Sequence, residues 1–366
     1  MLIREEQNDF AWYFTSTRPH RQCPVKNPSE NSMRYIIYLL SLLFLACSNQ
    51  PIPKGSEVAL KWKELPELPE AVGGPVAGVS NGALVVGGGA NFTRSMFEGG
   101  TKVWHDEIYV LEEGAEHWQG GFQLPEPLAY SATVDTEFGI VCIGGHSENV
   151  VSAKVFTLNW IPALRTIQID TLPDLPGPLT FSSAVLIDNA IYVAGGQSSL
   201  DAKAALKNFW RLDLSSGHRE WEILKPWPGP ARVLAGLAAQ NSGEKVEIYI
   251  FSGAEIIEVP EGQVPRRCLT DGYRYNPREK DPHTGWQQIA DLDAPVVAAP
   301  VIAFGPSHFF AFSGTDCTLD DQFWTLKDSN PGIPTAVRSY HTITDTWIKI
   351  GDMPGTKGVV TSKALL

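Results

Sequence analysis

LPELP at residues 65–69, LPEP at 124–127, LPDLP at 172–176, PWPGP at 226–230, DLDAP at 291–295 and DMPG at 352–355 are six versions of one proline-bearing linker. A repeat of roughly 50 to 60 residues marks a propeller or an array, because a unit that small cannot bury its apolar face alone. Each of the first five linkers leads into a strand, a polar turn and a second strand that ends on glycine: VVGG to Gly88, CIGG to Gly145, VAGG to Gly196, IFSG to Gly253 and AFSG to Gly314. From the last linker proline to that glycine the count is 19, 18, 20, 23 and 19 residues. The same count from Pro354 puts a sixth glycine step near position 373, past Leu366.

The pattern predicts an all-β, six-bladed propeller with an incomplete sixth blade, cut short at the C-terminus. Innermost strands fall at 76–79, 131–134, 182–186, 235–239 and 297–303. Third strands carry alternating aromatics, as in EIYVL, KVFTLNW, NFWRLDL, DGYRYN and RSYHTIT, a period of two that fits pleated backbone. Fourth strands carry Trp118, Trp221, Trp286 and Trp347, whereas the second repeat has Ile167 and Ile169 there. Trp62 fits the fourth-strand pattern but precedes the first glycine step, so residues 58–64 are expected to close the last blade. Its innermost strand would come from 355–366, and the closed ring leaves no exposed edges.

With 366 residues, 43% of them hydrophobic, 33 Gly and 27 Pro spread periodically, one propeller domain over 58–366 accounts for the body of the chain. A formal net charge of −12 and the lack of any block of five or six Lys/Arg exclude a nucleic-acid footprint. Met33-Arg34, the apolar run 35–46 and Cys47 stand in the order of a bacterial lipoprotein signal peptide over 33–47; about 20 apolar residues would be needed to span a bilayer. Residues 1–32 then read as a mis-assigned extension and 48–57 as a linker. Cys47 becomes the acylated first residue, and the protein is expected in the bacterial envelope, periplasmic or at the outer membrane, touching membrane only through that anchor. Cys142, Cys268 and Cys317 show no metal-ligand spacing, so neither metal nor cofactor is expected. Cys142 sits in an apolar strand as a small core residue. Cys268 and Cys317 fall in corresponding loops of neighbouring blades, which leaves open whether they pair.

Double-glycine steps with spaced Tyr and Trp resemble kelch repeats. The stretch GGPVAGVSNGALVVGGGANFTRSMFEGGTKVWHDEIYVL at 73–111 resembles the signature segment of the N-acetylneuraminate epimerases, the sialic acid mutarotases. The resemblance covers 58–366, with the blade order of their cyclically permuted branch. It implies cofactor-free interconversion of sugar anomers by general acid/base ring opening, with a small-molecule sugar acid as partner. It also implies a glutamate and an arginine in a GE-x-x-PG-x-RT motif after one blade's glycine step. By blade order that blade is the sixth, beyond Leu366, so neither residue is assigned by the resemblance.

In a four-stranded blade, the loop after the second strand opens on the same face as the linker into the next blade. Functional side chains are therefore sought at 89–106, 146–153, 197–206, 254–270 and 315–337. The first loop offers Asn91, Arg94 and Lys102 as sugar-binding groups, with Glu98 and His105 beside them. His146 and Glu148 are candidates for an acid/base pair, and Glu255 and Asp316 occupy equivalent places after later glycine steps. Arg232, just after the fourth linker, is expected to turn its guanidinium to the channel mouth and clamp a carboxylate. The alternative functions are a non-catalytic carbohydrate-binding or protein-interaction propeller and, more remotely, a copper oxidase, for which no His/Tyr/Cys constellation is evident.

Overall fold

A computed structural model describes residues 60–260, 263–279 and 284–365. The expected extension, signal segment, linker and acylated Cys47 lie outside the described residues.

Five four-stranded antiparallel blades follow one another, each with its strands in sequence order. Blade 1 comprises Val76–Ser80, Ala83–Gly87, Glu107–Glu112 and Gln119–Gln123, and blade 2 Ala132–Thr136, Gly139–Ile143, Val155–Ile161 and Thr166–Leu172. Blade 3 comprises Ser183–Ile187, Ala190–Ala194, Phe209–Asp213 and Trp221–Ile223. Blade 4 comprises Gly236–Asn241, Val246–Phe251, Gly272–Tyr275 and Trp286–Ile289. Blade 5 comprises Val301–Phe304, His308–Phe312, Ala336–His341 and Thr346–Asp352. The second strand of a blade is covered on both faces by its neighbours. Gly139–Ile143 is accordingly buried at every position, and its sequence is one continuous apolar run.

The core is divided into layers between blades. One layer joins Ile108 and Val110 of blade 1 to Ile140 and Leu158 of blade 2, a second joins Val141 to Val193, a third Phe209 to Tyr275, and a fourth Tyr249 to Phe309. At the outer edge of blades 1, 3, 4 and 5, an indole N–H ties the blade to the preceding linker or to the residue just before it. Trp118 donates to Pro66 O at 2.9 Å, Trp221 to Pro173 O at 2.9 Å, Trp286 to Lys225 O at 2.9 Å and Trp347 to Ala290 O at 3.1 Å. Blade 2, without that tryptophan, packs Ile167 and Ile169 against the fully buried Trp160 of its third strand instead.

The glycine steps are two-residue units with positive φ: Gly88-Gly89, Gly144-Gly145, Gly195-Gly196, Ser252-Gly253 and Ser313-Gly314. In blade 1 the step therefore ends on Gly89, one residue later than the sequence count placed it. The second position excludes a side chain because the backbone entering the blade passes over it. A Cβ on Gly253 would lie 2.7 Å from Val233 O.

One residue per repeat lines the channel in left-handed conformation: Gly74, Tyr130, Phe181, Leu234, Ala298 and Thr361, with φ between 51 and 63°. Each N–H donates to the carbonyl of the preceding member, Tyr130 to Gly74 at 2.8 Å and onward to Thr361 to Ala298 at 2.9 Å. Gly74 N–H closes the circle on Thr361 O at 3.1 Å. The ring thus has six stations, five of which carry blades among the described residues.

Residues 355–366 do not form the expected innermost strand among the described residues. They hold the sixth station, and among the described residues no second strand lies beside them. Gly314 N–H donates to Val359 O at 3.2 Å, and Leu365 packs against Ala77 and Val86. Likewise 60–64, the described part of the expected closing strand, is not a strand. Trp62 instead meets Phe312 edge-on, 6.2 Å between centroids. The channel encloses a cavity of about 450 Å³ lined by the innermost strands and by 361–365.

Candidate functional site

The loops after the second strands form a rim around one end of the channel, each locked to the next. In blade 1 a hairpin of Ala90–Phe92 and Lys102–Trp104 carries the Lys102 ammonium 4.6 Å from the ring centre of Tyr130 and 5.1 Å from that of Trp104. These are cation–π distances. Tyr130 stacks on His146 at 5.0 Å and touches Phe181 at 4.9 Å. His146 Nδ1 is 2.9 Å from Thr180 Oγ1. Burial, helped by the nearby Lys102 charge, pushes the His146 pKa down to about 4, so at neutral pH this imidazole is uncharged.

Phe181 continues the floor toward blade 4, where it packs in one apolar cluster with Leu234, Ile256, Cys268 and Cys317. There a second hairpin, Ala254–Ile256 with Arg266–Cys268, stands over the channel. Glu255 lies directly across from Arg267, and the guanidinium donates to its carboxylate. Arg266 makes a two-pronged ion pair with Asp320 of blade 5, at 2.7 and 2.6 Å, and Cys268 is joined to Cys317 by a disulfide. The pairing that the sequence left open is therefore made. Short helical turns at Asp320–Gln322 and Phe323–Leu326 carry the blade 5 loop on to blade 1, with Phe97 against Phe323 at 5.5 Å and Ser95 Oγ on Asp328 at 2.7 Å.

Against this rim the sequence candidates separate. Lys102 and Glu255 are on it, with side chains toward the mouth groups just described. Asn91 is engaged in the blade 1 hairpin: its amide donates to Glu70 and to Ala71 O, and its oxygen meets His105 Nε2 at 3.0 Å. Arg94 closes its own loop on Gly99 O at 3.4 Å and is exposed, as is Glu98. Asp316 accepts from Thr318 N and Oγ1 within a turn. His146 and Glu148 form no acid/base pair among the described residues. His146 is buried in the aromatic cluster, whereas Glu148 is exposed two residues on.

Arg232 overturns the expectation of a carboxylate clamp at the mouth. Its backbone carbonyl receives Gly196 N–H, the part Leu128 O plays for Gly89, Leu179 O for Gly145 and Val359 O for Gly314, so Arg232 stands where those repeats place leucine or valine. Its side chain is 0% exposed and donates to Ser252 O, Asp271 O and Pro230 O, with the Asp271 carboxylate at 2.8 Å and Trp227 and Tyr273 around the guanidinium. Tyr130, Thr180, Phe181 and Arg267 escaped the sequence reading. The first three follow linkers rather than glycine steps, and only the equivalence of the six ring stations points to them.

A family model described as the Kelch motif matches residues 178–226, which span blade 3. The N-acetylneuraminate epimerase of Vibrio cholerae is 39% identical over 118 residues, 27% of this chain and 30% of that protein. The protein of the same name from Yersinia enterocolitica is 33% identical over 120 residues, 28% and 30% respectively. The chain thus aligns with under a third of the length of these relatives. The solved structure titled "Structure of YjhT" superposes with a TM-score of 0.57 at 14% identity, covering 70% of this chain and 82% of that one, a likeness of fold. Over that aligned stretch the chain is thus similar in sequence to proteins named N-acetylneuraminate epimerase, and its blades are of the kelch type.

Proposed function

We propose that this chain interconverts the anomers of an acidic sugar of the N-acetylneuraminate type at the rimmed end of its channel. The observation that carries the reading is the Glu255–Arg267 pair, placed just after a glycine step in a chain whose relatives are named for that epimerisation. The motif that the resemblance implies lies in another blade, but blade 4 places a glutamate and an arginine of its own side by side after its glycine step. Arg267 engages Oε2 of Glu255, and among the described residues Oε1 has no partner. That oxygen takes the proton from the anomeric hydroxyl. The same carboxyl then passes the proton to the ring oxygen as the ring C–O bond breaks, giving the open ketone. Closure from the other face reverses the transfers, so no net proton is consumed. Lys102 meets the sugar carboxylate, a needed local cation on a chain of net charge −12. The aromatic floor of Tyr130 and Phe181 supports the apolar face of the sugar ring. We further place the protein in the bacterial envelope, held by lipid on Cys47, on the strength of the signal-like order at 33–47.

NMR exchange spectroscopy of N-acetylneuraminate anomers with the wild-type chain and with Glu255→Gln tests the reading. A loss of on the order of a hundredfold or more in the catalysed rate is expected for the variant, as for removal of a general acid/base. Sugar binding with no faster exchange in either protein would instead mark a carbohydrate-binding propeller.

A further inference from the structure

Alternation along the blade 4 hairpin divides its side chains between two faces. Arg267 pairs across the ladder with Glu255, while its neighbours Arg266 and Cys268 point the other way and are both bonded to the blade 5 loop. One bond is the ion pair to Asp320 and the other the disulfide to Cys317, two attachments three residues apart on the partner loop. A two-stranded ribbon of three residues per strand is marginal by itself, so its orientation is set by what it is attached to. We propose that Arg266 and Cys268 are positioning residues, which turn the Glu255–Arg267 face to the channel mouth, and that the disulfide makes this site redox-sensitive. The proposal rests on the functional reading above. A dithiol reductant passes two electrons to the sulfur–sulfur bond, which breaks to two thiols as two protons are taken up, while the reductant closes to its own disulfide. Of its two bonds to the blade 5 loop the hairpin then keeps only the Arg266–Asp320 pair, with the Ala254–Val233 bridge still holding its base.

The test uses the full chain, wild type and Asp320→Asn, each oxidised and reduced with dithiothreitol. Hydrogen exchange across 254–268 is expected to quicken when either attachment is lost and most when both are, with the blade 4 ladder still protected. Anomerisation is expected to lose activity on the order of tenfold when both attachments are gone, more than the two single effects combined. Reoxidation and Asp320→Glu should restore most of it. Unchanged exchange in the reduced Asp320→Asn protein overturns the proposal. So does quickened exchange with unaltered kinetics, because the attachments would then be structural only. Full activity of Glu255→Gln would instead sink the functional reading and with it the pair's catalytic role, while the exchange measurement still decides whether the attachments hold the hairpin.

Discussion

Arg232 shows what decides the fate of a charged side chain. A guanidinium with 0% exposure survives only if every part of it is compensated, and Asp271, three backbone carbonyls and two aromatic rings do so. Arg232→Met is expected to cost about 3 kcal/mol by leaving Asp271 without its partner, as for a broken buried pair. Urea unfolding checks the loss, and the anomerisation KM of the folded fraction should stay at the wild-type value. His146 makes a pH signature. Its folded pKa of about 4 lies below the ordinary 6.5, so between those values the unfolded chain binds the extra proton. Its contribution to stability is therefore fully present above about 6.5 and falls as pH drops toward 4. His146→Asn should remove that part of the pH dependence, seen as a shallower decline in unfolding free energy across the window. For Lys102→Met we expect KM for the sugar acid to rise about tenfold with little change in kcat, the scale of one lost charge-assisted hydrogen bond. The placement of Lys102 and Glu255 on the rim was legible from their loops. Arg232 was not, because sequence order shows that a residue follows a linker but not that leucine or valine is its counterpart in the other repeats.

At the scale of elements, the strands were legible because a period of two, a proline linker and a glycine step each mark a different point in the repeat. The tryptophans marked them too, through a bond that sequence does not display: the indole donating to a carbonyl in the preceding linker or just before it. Trp221→Phe keeps the ring and removes the donor to Pro173 O, so a loss of about 1 kcal/mol by chemical denaturation is expected. What the period could not reveal were the two rim hairpins, Ala90–Phe92 with Lys102–Trp104 and Ala254–Ile256 with Arg266–Cys268. They break the repeat, and their register comes from cross-strand pairs and from the disulfide rather than from alternation. Within 60–64 and 355–365, the described parts of the expected strands at 58–64 and 355–366, no strand is formed: a strand is a property of a pair, and neither segment has a ladder partner among the described residues.

Across the whole molecule, the circle of six backbone hydrogen bonds sets the number of stations independently of how many blades are filled. Thr361 is its least suited member, a β-branched residue at φ 51°. Thr361→Gly should stabilise by up to about 1 kcal/mol by relieving left-handed strain, whereas Thr361→Pro, which forbids that φ and deletes the donor to Ala298, should cost about 3 kcal/mol or more. Opposite shifts of the urea midpoint would confirm the ring, and equal shifts would deny it. The circle also orders events in time. Gly74 is made early in synthesis and Thr361 nearly 290 residues later (361 − 74 = 287), so the first blade must wait with an unanswered N–H until residue 361 has left the ribosome. Nascent chains stalled before that point should be more easily cut by protease in blade 1 than chains released beyond it.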